Sequence, residues 1–364
     1  MSLVALRADA SARIGSGHVR RCLALAAALR ARGAQCVLVA RDLGLDLAPL
    51  LAGSGVEWLR LPAPAPGFQP QPGAPAHAAW AGVAAAQDAA ETAAALCAGG
   101  QAVQALVVDH YAFDAGWHRA LREMLGASSP ALRIAAIDDL ADRDLAVDLL
   151  IDHNHAADHR AKYGAHLAAD VPLLGGPRHA LLAPVYAEAP RHVPQATVAS
   201  VGISFGGVDA DGHSLVALAA LQAAGFAGEV EIVITSACPH RQAILAAAAA
   251  RPGTRVLCDL PHLAGFYARH GLQIGAGGGA TWERCCMAAP TLAVVIADNQ
   301  RAVLDPLADL GVLLTAAAPT VDALLPPLRE LLDHAGLRRA LSRQAQTLVD
   351  GQGAARVAEQ LLRL

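Results

Sequence analysis

A histidine follows a glycine-containing turn near the start of the chain. Gly15-Ser-Gly17-His18 comes soon after an apolar run that begins at Leu3. Glycines let the backbone approach a ligand closely, and the free N–H groups at the start of a following helix favour an anion. The same helix start favours a neutral imidazole, the form that a general base requires. We therefore predict His18 as a catalytic base with Gly15 and Gly17 beside the substrate. Taken alone, the motif fits a plain strand-to-helix turn equally well.

A second glycine-rich segment lies in the C-terminal half of the chain. Gly277, Gly278 and Gly279 follow an apolar run and precede Thr281 and Glu283, a pattern that predicts the start of a helix. Such a loop can place its backbone against a diphosphate, and a glutamate in the first turn can accept hydrogen bonds from ribose hydroxyls. The alternative is a flexible turn whose glutamate is only a favourable charge at the start of the helix.

Two more predicted strands of this half end in small or amide residues. Gly206 and Gly207 follow the predicted strand Ala199–Ser204, and Asn299 and Gln300 follow another. Because the carboxyl ends of parallel strands meet at one edge of a sheet, these residues and the glycine-rich segment predict one nucleotide-binding site.

Polar residues also follow predicted strands in the N-terminal half. Asp9 could orient His18, contact a sugar, or merely cap the turn that follows it. His110 and Tyr111 end another strand and could contact hydroxyl or acetamido groups, as could Asn154.

Short β-type runs alternate with alanine-rich helical segments along the whole chain. This alternation predicts an α/β protein whose parallel sheets are covered by helices on both faces. The predicted strands are Leu3–Leu6, Gln35–Ala40, Ala105–Val108, Ile134–Ile137, Leu149–Ile151, Ala199–Ser204, Glu229–Thr235, Arg255–Leu257, Leu272–Ile274 and Thr291–Val295. The clearest predicted helices are Val19–Arg32, His213–Ala224 and Arg241–Ala250.

At 364 residues the chain exceeds what one hydrophobic core usually organises. The alternating series restarts after a proline-containing stretch, residues 184–194, which predicts two domains, 1–190 and 191–345. A last helix, residues 337–364, is long enough to return to the first domain in its final part, 346–364. We expect the ligand between the two domains. The proline-rich stretch Pro62–Pro75 is predicted to be a solvated loop.

Composition excludes several classes of protein. The net charge is −4, aromatic residues make up 4%, and no Lys/Arg tract occurs, which disfavours a nucleic-acid partner. Apolar stretches are too short to cross a membrane, and the N-terminus has no signal-peptide pattern. Seven scattered cysteines favour reduced thiols. The sequence therefore predicts a cytoplasmic protein.

Metal or cofactor binding is not predicted. No D-x-D motif follows a strand. His155 and His159 have the i, i+4 spacing of a zinc pair on a helix, but nothing else in the sequence marks a second shell, and the segment follows a strand end as a loop would.

The motifs together resemble one family, the UDP-2,4-diacetamido-2,4,6-trideoxy-β-L-altropyranose hydrolases of the pseudaminic acid pathway. That family is similar to the GT-B glycosyltransferases, including the UDP-GlcNAc transferase that makes lipid II. The resemblance implies two Rossmann-like domains facing a cleft, with Arg7 among the substrate contacts and UDP as product. It implies inverting C–O cleavage at the anomeric carbon, with His18 activating water. The matching segments are Arg7-x-Asp9, Ile14-Gly15-x-Gly17-His18, Asp109-His110-Tyr111, Asp138-Asp139, Asn154, Tyr163, Gly176-Pro-Arg178, Gly206-Gly207-x-Asp209, Gly277-Gly278-Gly279 with Trp282-Glu283-Arg284-Cys285, and Asp298-Asn299-Gln300.

Two residues depart from the family pattern. His153 stands where glutamine is expected, and His179 stands where tyrosine is usual. Both lie in the predicted sugar-binding domain, so they bear on the choice of sugar more than on the type of reaction.

Three other functions fit parts of the pattern. A glycosyltransferase of the same fold would use His18 to activate an acceptor hydroxyl. A nucleotide-sugar-binding protein without turnover would have no need for the base. An epimerase would require further acids and histidines around the sugar.

Overall fold

The computed structural model describes residues 2–206, 208–297 and 300–364. The chain divides into two compact units, which we call unit 1 and unit 2. Unit 1 comprises residues 1–184 and 352–364, and unit 2 comprises residues 185–351.

Unit 1 is built on a seven-stranded parallel sheet with the order β3-β2-β1-β4-β5-β6-β7. Its central strands, β1 and β4, are almost entirely buried, as expected for a parallel sheet with helices on both faces. One core cluster packs on each face of the sheet. The strands are β1 Leu3–Ala8, β2 Gln35–Arg41, β3 Glu57–Leu61, β4 Val103–Asp109, β5 Arg133–Ile137, β6 Leu149–Asp152 and β7 Leu173–Gly175.

Helices of unit 1 connect these strands in chain order. The α-helices are α1 Gly17–Arg30, α2 Ala48–Leu51, α3 Ala85–Ala98, α4 Ala115–Leu125 and α5 His159–Tyr163, and short 3₁₀ helices span Ala78–Ala81 and Pro177–His179. The helix α6, Pro184–Glu188, begins at the boundary between the units.

Unit 2 has a six-stranded parallel sheet with the order β10-β9-β8-β11-β12-β13. The strands are β8 Ser200–Ser204, β9 Glu229–Ile234, β10 Thr254–Cys258, β11 Leu272–Ala276, β12 Thr291–Val294 and β13 Leu314–Ala316. The helices are α7 His213–Ala223, α8 Arg241–Ala250, α9 Ala264–Arg269, α10 Gly279–Cys286, α11 Arg301–Asp309, α12 Val321–Asp333 and α13 Ala335–Leu348. The predicted α/β class with two parallel sheets is confirmed.

The C-terminal segment differs from the single long helix that the sequence predicted. Two helices occupy it, α13 in unit 2 and α14, Gly353–Leu361, in unit 1. The break falls at Gly351, whose φ of 82° lies in the left-handed region that ends a helix. Val357, Ala358 and Leu361 of α14 join the core cluster that contains α1.

Candidate functional site

The candidate base lies at the point in the sheet of unit 1 where the strand order reverses. From β1 the chain winds outward through β2 to β3, and it then returns to place β4 on the other side of β1. Ligands of open α/β sheets bind at the carboxyl ends of the two strands that flank such a switch point. His18 is the second residue of the helix after β1, and Asp109 is the last residue of β4.

His18 and Asp109 form a hydrogen-bonded pair. The His18 Nδ1 atom lies 2.6 Å from Asp109 Oδ1. A carboxylate can only accept, so Nδ1 carries the proton and Nε2 is the nitrogen with a lone pair. Among the described residues Nε2 has no hydrogen-bond partner, and the His18 side chain is 11% exposed. This arrangement leaves one imidazole nitrogen able to take a proton from a ligand.

Arg21 completes this pair from the same face of α1, three residues after His18. Its guanidinium binds both oxygens of Asp109, with Nε to Oδ2 and Nη2 to Oδ1 each at 2.5 Å. Burial would raise the pKa of Asp109, but the charge of Arg21 outweighs burial and holds that pKa well below its usual range. Asp109 is therefore ionised, and His18 faces an ion pair instead of a lone carboxylate.

A second carboxylate, Asp139, lies near this pair. The Tyr111 hydroxyl donates to Asp139 Oδ1 at 2.5 Å, and Asn154 Nδ2 donates to Oδ2 at 2.8 Å. The rings of His18 and Tyr111 meet edge-on with their centroids 4.9 Å apart. Burial opposes ionisation of Asp139, but the Arg21 charge and the Tyr111 hydrogen bond keep its pKa below the usual value. The predicted contacts Tyr111 and Asn154 thus lie together with His18.

The proline-rich stretch leads into the site. The sequence predicted only a solvated loop there. Residues 62–77 form no regular element, and a 3₁₀ helix, Ala78–Ala81, follows. The Trp80 ring lies 5.6 Å from Tyr111 and 6.1 Å from His18, centroid to centroid. His77 lies 4.7 Å from Trp80.

Three residues predicted to contact substrate are instead buried inside unit 1. Arg7 binds both oxygens of Asp9 and also Asp88, and the Arg7 and Asp9 side chains are 0% exposed. His110 Nε2 lies 3.2 Å from Asp9 Oδ2, and its Nδ1 accepts from Ala112 N. The prediction that Asp9 orients His18 is therefore wrong, because Asp109 fills that role.

The glycine residues of the first turn have different local reasons. Gly15 has a φ of 75° and donates its N–H to Ser11 O at 2.8 Å, which closes the turn before α1. Gly17 begins α1, and a Cβ atom added there would meet open space. Gly17 therefore keeps the backbone beside His18 accessible.

Unit 2 has its own switch point, between β8 and β11. Gly206 follows β8, and the triplet Gly277–Gly279 follows β11, so both predicted turns lie at neighbouring strand ends. Gly278 has a φ of 102°, and a Cβ atom at Gly277 would approach Leu304 to 2.9 Å. Glycine is therefore required by conformation at Gly278 and by packing at Gly277.

The helix that follows the triplet has an uncapped N-terminus. The residue before α10 is Gly278, no side chain of the described residues caps this end, and a Cβ atom at Gly279 would meet nothing within 4 Å. The neighbouring α7 is different, because the Asp209 carboxylate accepts from His213 N and Ser214 N at its N-terminus. Among the described residues, the first N–H groups of α10 therefore have no side-chain partner that would exclude an anion, whereas Asp209 already binds those of His213 and Ser214 at α7.

Other predicted contacts of unit 2 hold the loop or lie beside it. Thr281 is fully buried, and its hydroxyl accepts from Arg284 Nη2 at 3.2 Å, while its role as a substrate contact stays a prediction. Gln300 Oε1 accepts from Ile296 N at 3.2 Å. Glu283 is half-buried and accepts from the Tyr267 hydroxyl at 3.3 Å. The predicted contacts Gly207 and Asn299, with Asp298, lie outside the described residues.

The departures from the family pattern have clear places in unit 1. His153 is buried beside the Asp139 and Arg21 side chains, and burial lowers its pKa to about 4. His179 Nδ1 lies 2.9 Å from Gly175 O in the turn after β7. His153 therefore lies in the site as a neutral imidazole, whereas His179 stabilises a turn.

The described residues contain neither a cluster suited to a metal ion nor a helix suited to span a membrane. No cluster of three or more His, Cys, Asp or Glu side chains suited to a metal ion occurs in the described part of the chain. His159, which has the i, i+4 spacing to His155, has its Nε2 3.0 Å from Asn154 O. No described helix combines the length and apolar character that a membrane span requires.

Comparisons with solved structures give likenesses over the full chain. MurG of Acinetobacter baumannii aligns with a TM-score of 0.66 at 15% identity, covering 100% of both chains. The calicheamicin glycosyltransferase CalG4 aligns with a TM-score of 0.62 at 15% identity, covering 100% of this chain and 98% of its own. UGT2 of Phytolacca americana, in complex with UDP-2-fluoroglucose and pterostilbene, aligns with a TM-score of 0.69 at 13% identity. The alignment covers 100% of this chain and 99% of UGT2.

No protein-family model and no curated protein matches the sequence. At the identities of the structural matches, the likeness shows the fold. The fold consists of two Rossmann-like domains of the GT-B type.

Proposed function

We propose that the protein hydrolyses a UDP-linked diacetamido-trideoxy sugar, UDP-2,4-diacetamido-2,4,6-trideoxy-β-L-altropyranose, to UDP and the free sugar. The observation that carries the proposal is the pair of His18 and Asp109 at the switch point of unit 1. A protein that only binds nucleotide sugars has no need for a histidine held in a defined tautomer with its second nitrogen available.

His18 supplies the base in this proposal. Its Nε2 removes a proton from a water molecule, whose oxygen attacks the anomeric carbon while the bond to the UDP oxygen breaks. The attack comes from the face opposite to UDP, so the configuration inverts. Asp109 orients the imidazole and stabilises the imidazolium that forms, as the acid does in a catalytic triad.

Departure of UDP needs less help than departure of an alcohol. The leaving oxygen belongs to a phosphate whose pKa is about 6, so it leaves without a proton from a general acid. The uncapped start of α10 offers N–H groups and a positive helix end for the diphosphate. Glu283 is proposed to accept hydrogen bonds from the ribose.

A glycosyltransferase is the second candidate, and the comparisons favour it. CalG4 is named as a glycosyltransferase, and UGT2 was solved with a UDP-sugar and a second small molecule. The same base would then act on an acceptor hydroxyl. The resemblance of the sequence motifs to the hydrolase family supports water as the acceptor instead.

One experiment separates these functions. Purified protein is incubated with a panel of UDP-sugars in H₂¹⁸O, with and without candidate acceptors, and UDP release is followed by NMR. Hydrolysis at the anomeric carbon places ¹⁸O in the free sugar and none in UDP. UDP release only in the presence of an acceptor would establish the transferase, and binding without release would leave a binding protein.

The variant His18→Asn tests the base directly. We expect UDP affinity, measured by calorimetry, to stay within a few-fold and turnover to fall by roughly 10²- to 10⁴-fold, the usual contribution of a general base. A variant that keeps its rate would remove His18 from the mechanism.

A further inference from the structure

Four rings of unit 1 form an aromatic cup, which we define as His18, His77, Trp80 and Tyr111. Trp80 and Tyr111 lie 5.6 Å apart, and each also contacts both histidines. The centroid separations run from 4.7 Å for His77–Trp80 to 6.1 Å for His18–Trp80. The mechanism above uses only His18, so the other three rings have no role in the proton transfer.

Tyr111 of the cup is held in place from two sides. The Tyr111 hydroxyl is fixed by Asp139 Oδ1 at 2.5 Å, and the guanidinium of Arg143 lies 5.7 Å from the centroid of the Tyr111 ring. Arg143 is itself paired with Asp138 at 2.8 Å. A ring held at its hydroxyl and by a neighbouring cation loses little freedom when a ligand binds, which favours affinity.

The rings offer a ligand carbon surface more than hydrogen bonds. The hydroxyl of Tyr111 and Nδ1 of His18 are already bound to carboxylates. Burial lowers the pKa of His77, which keeps that imidazole neutral near pH 7. His77, Trp80 and Tyr111 are each only partly buried, so apolar surface remains accessible beside the candidate base.

We propose that the aromatic cup binds the methyl group at C6 of a 6-deoxy sugar and thereby selects 6-deoxy sugars over those that carry a hydroxyl at C6. A hydroxyl placed against ring carbon would lose its hydrogen bonds to water without replacement. Trp80 and Tyr111 each contact the other three rings, and Trp80 is the one to test because Tyr111 also donates its hydroxyl to Asp139. This inference rests on the proposed function.

The test compares two donors that differ only at C6 of the sugar: the proposed substrate and its 6-hydroxyl analogue. Trp80→Ala should lower kcat/KM for the 6-deoxy donor by about 10-fold or more, the range that one methyl group contributes in an apolar pocket. The 6-hydroxyl analogue should change by about 2-fold or less. Trp80→Phe, which keeps a ring, should restore most of the loss.

Trp58→Ala is the matched control. Trp58 is a half-buried indole of the edge strand β3, and its Nε1 donates to Ala40 O. Its loss should change both donors equally. If Trp80→Ala lowers both donors equally, the cup does not select the substituent and the inference is overturned. If the wild-type protein releases UDP from neither donor, the proposed function has failed instead, so the two failures are distinct.

Discussion

Two arginine–aspartate clusters lie close together in unit 1 and do different things. The buried cluster consists of Arg7, Asp9, Arg41 and Asp88, and the dyad cluster consists of His18, Arg21 and Asp109. Asp9 lies one residue past the end of β1, and Asp109 ends β4 beside it. Both carboxylates bind an arginine through both oxygens and have a histidine within 3.2 Å.

The two clusters differ in whether a polar atom remains available to a ligand. In the buried cluster the ions satisfy one another: Asp88 binds both arginines, and His110 has a neighbour at each ring nitrogen. In the dyad cluster, Arg21 is 16% exposed and His18 has one nitrogen without a described partner. The same residue types therefore serve structure where the ions pair with one another in the core, and they can serve chemistry where a partly exposed imidazole keeps one nitrogen for a ligand.

The largest expected effect comes from Asp109→Asn. The amide can donate to His18 Nδ1, which would favour the tautomer with the proton on Nε2 and abolish the base. Turnover should fall by roughly 10³- to 10⁴-fold, as when a triad aspartate becomes asparagine. Steady-state UDP release measures the rate, and calorimetry should give a UDP affinity within a few-fold of wild type. A variant with normal turnover would show that Asp109 does not orient the base.

Asp9→Asn should have the opposite effect to Asp109→Asn, with lower stability and nearly unchanged turnover. It removes one charge from the buried cluster and leaves Arg7 partly unpaired, which typically costs about 3–5 kcal/mol in the free energy of unfolding. The fraction that remains folded should keep kcat within a few-fold, because Asp9 does not touch His18. Denaturant unfolding and active-site titration together separate the two quantities. Normal stability with lost turnover would place Asp9 in the site after all.

Much of the fold could be predicted because parallel strands are short apolar runs between helices. The ten predicted strands all exist, within one or two residues at their ends. The missed strands β3, β7 and β13 are all edge strands, whose half-exposed residues such as Trp58 and Leu314 weaken the apolar signal.

The site was harder to predict because its partners are distant in sequence. Glycine and histidine at the start of a helix are a local signal, so His18 could be found. Asp109 is 91 residues away, and only the adjacency of β1 and β4 brings it to His18. Arg21 offered a usable signal, its i, i+3 spacing from His18 on one helix face. Trp80 offered none, since it follows a stretch of proline and glycine typical of solvated loops.

The buried histidine His118 extends the comparison to stability. His118 is 0% exposed, and the charged groups that act on it are all arginines: Arg119, Arg122 and Arg143. Burial, reinforced by these charges, lowers its pKa from 6.5 to about 3. Unlike His110, it has no carboxylate among the described residues that favours the charged ring.

His118→Asn should therefore make the protein less sensitive to mild acid. The unfolded chain gains a proton on His118 below pH 6.5, whereas the folded chain does not until about pH 3. This histidine thus stabilises the fold fully above pH 6.5 and progressively less as the pH falls toward 3. Between pH 7 and pH 5 the loss is about 2 kcal/mol by proton linkage. Asparagine can still accept from Ala146 N and does not titrate, so denaturant unfolding at the two pH values should show a loss of stability about 2 kcal/mol smaller in the variant than in wild type. An equal loss in both proteins would mean that His118 is protonated, and therefore solvated, in the folded state.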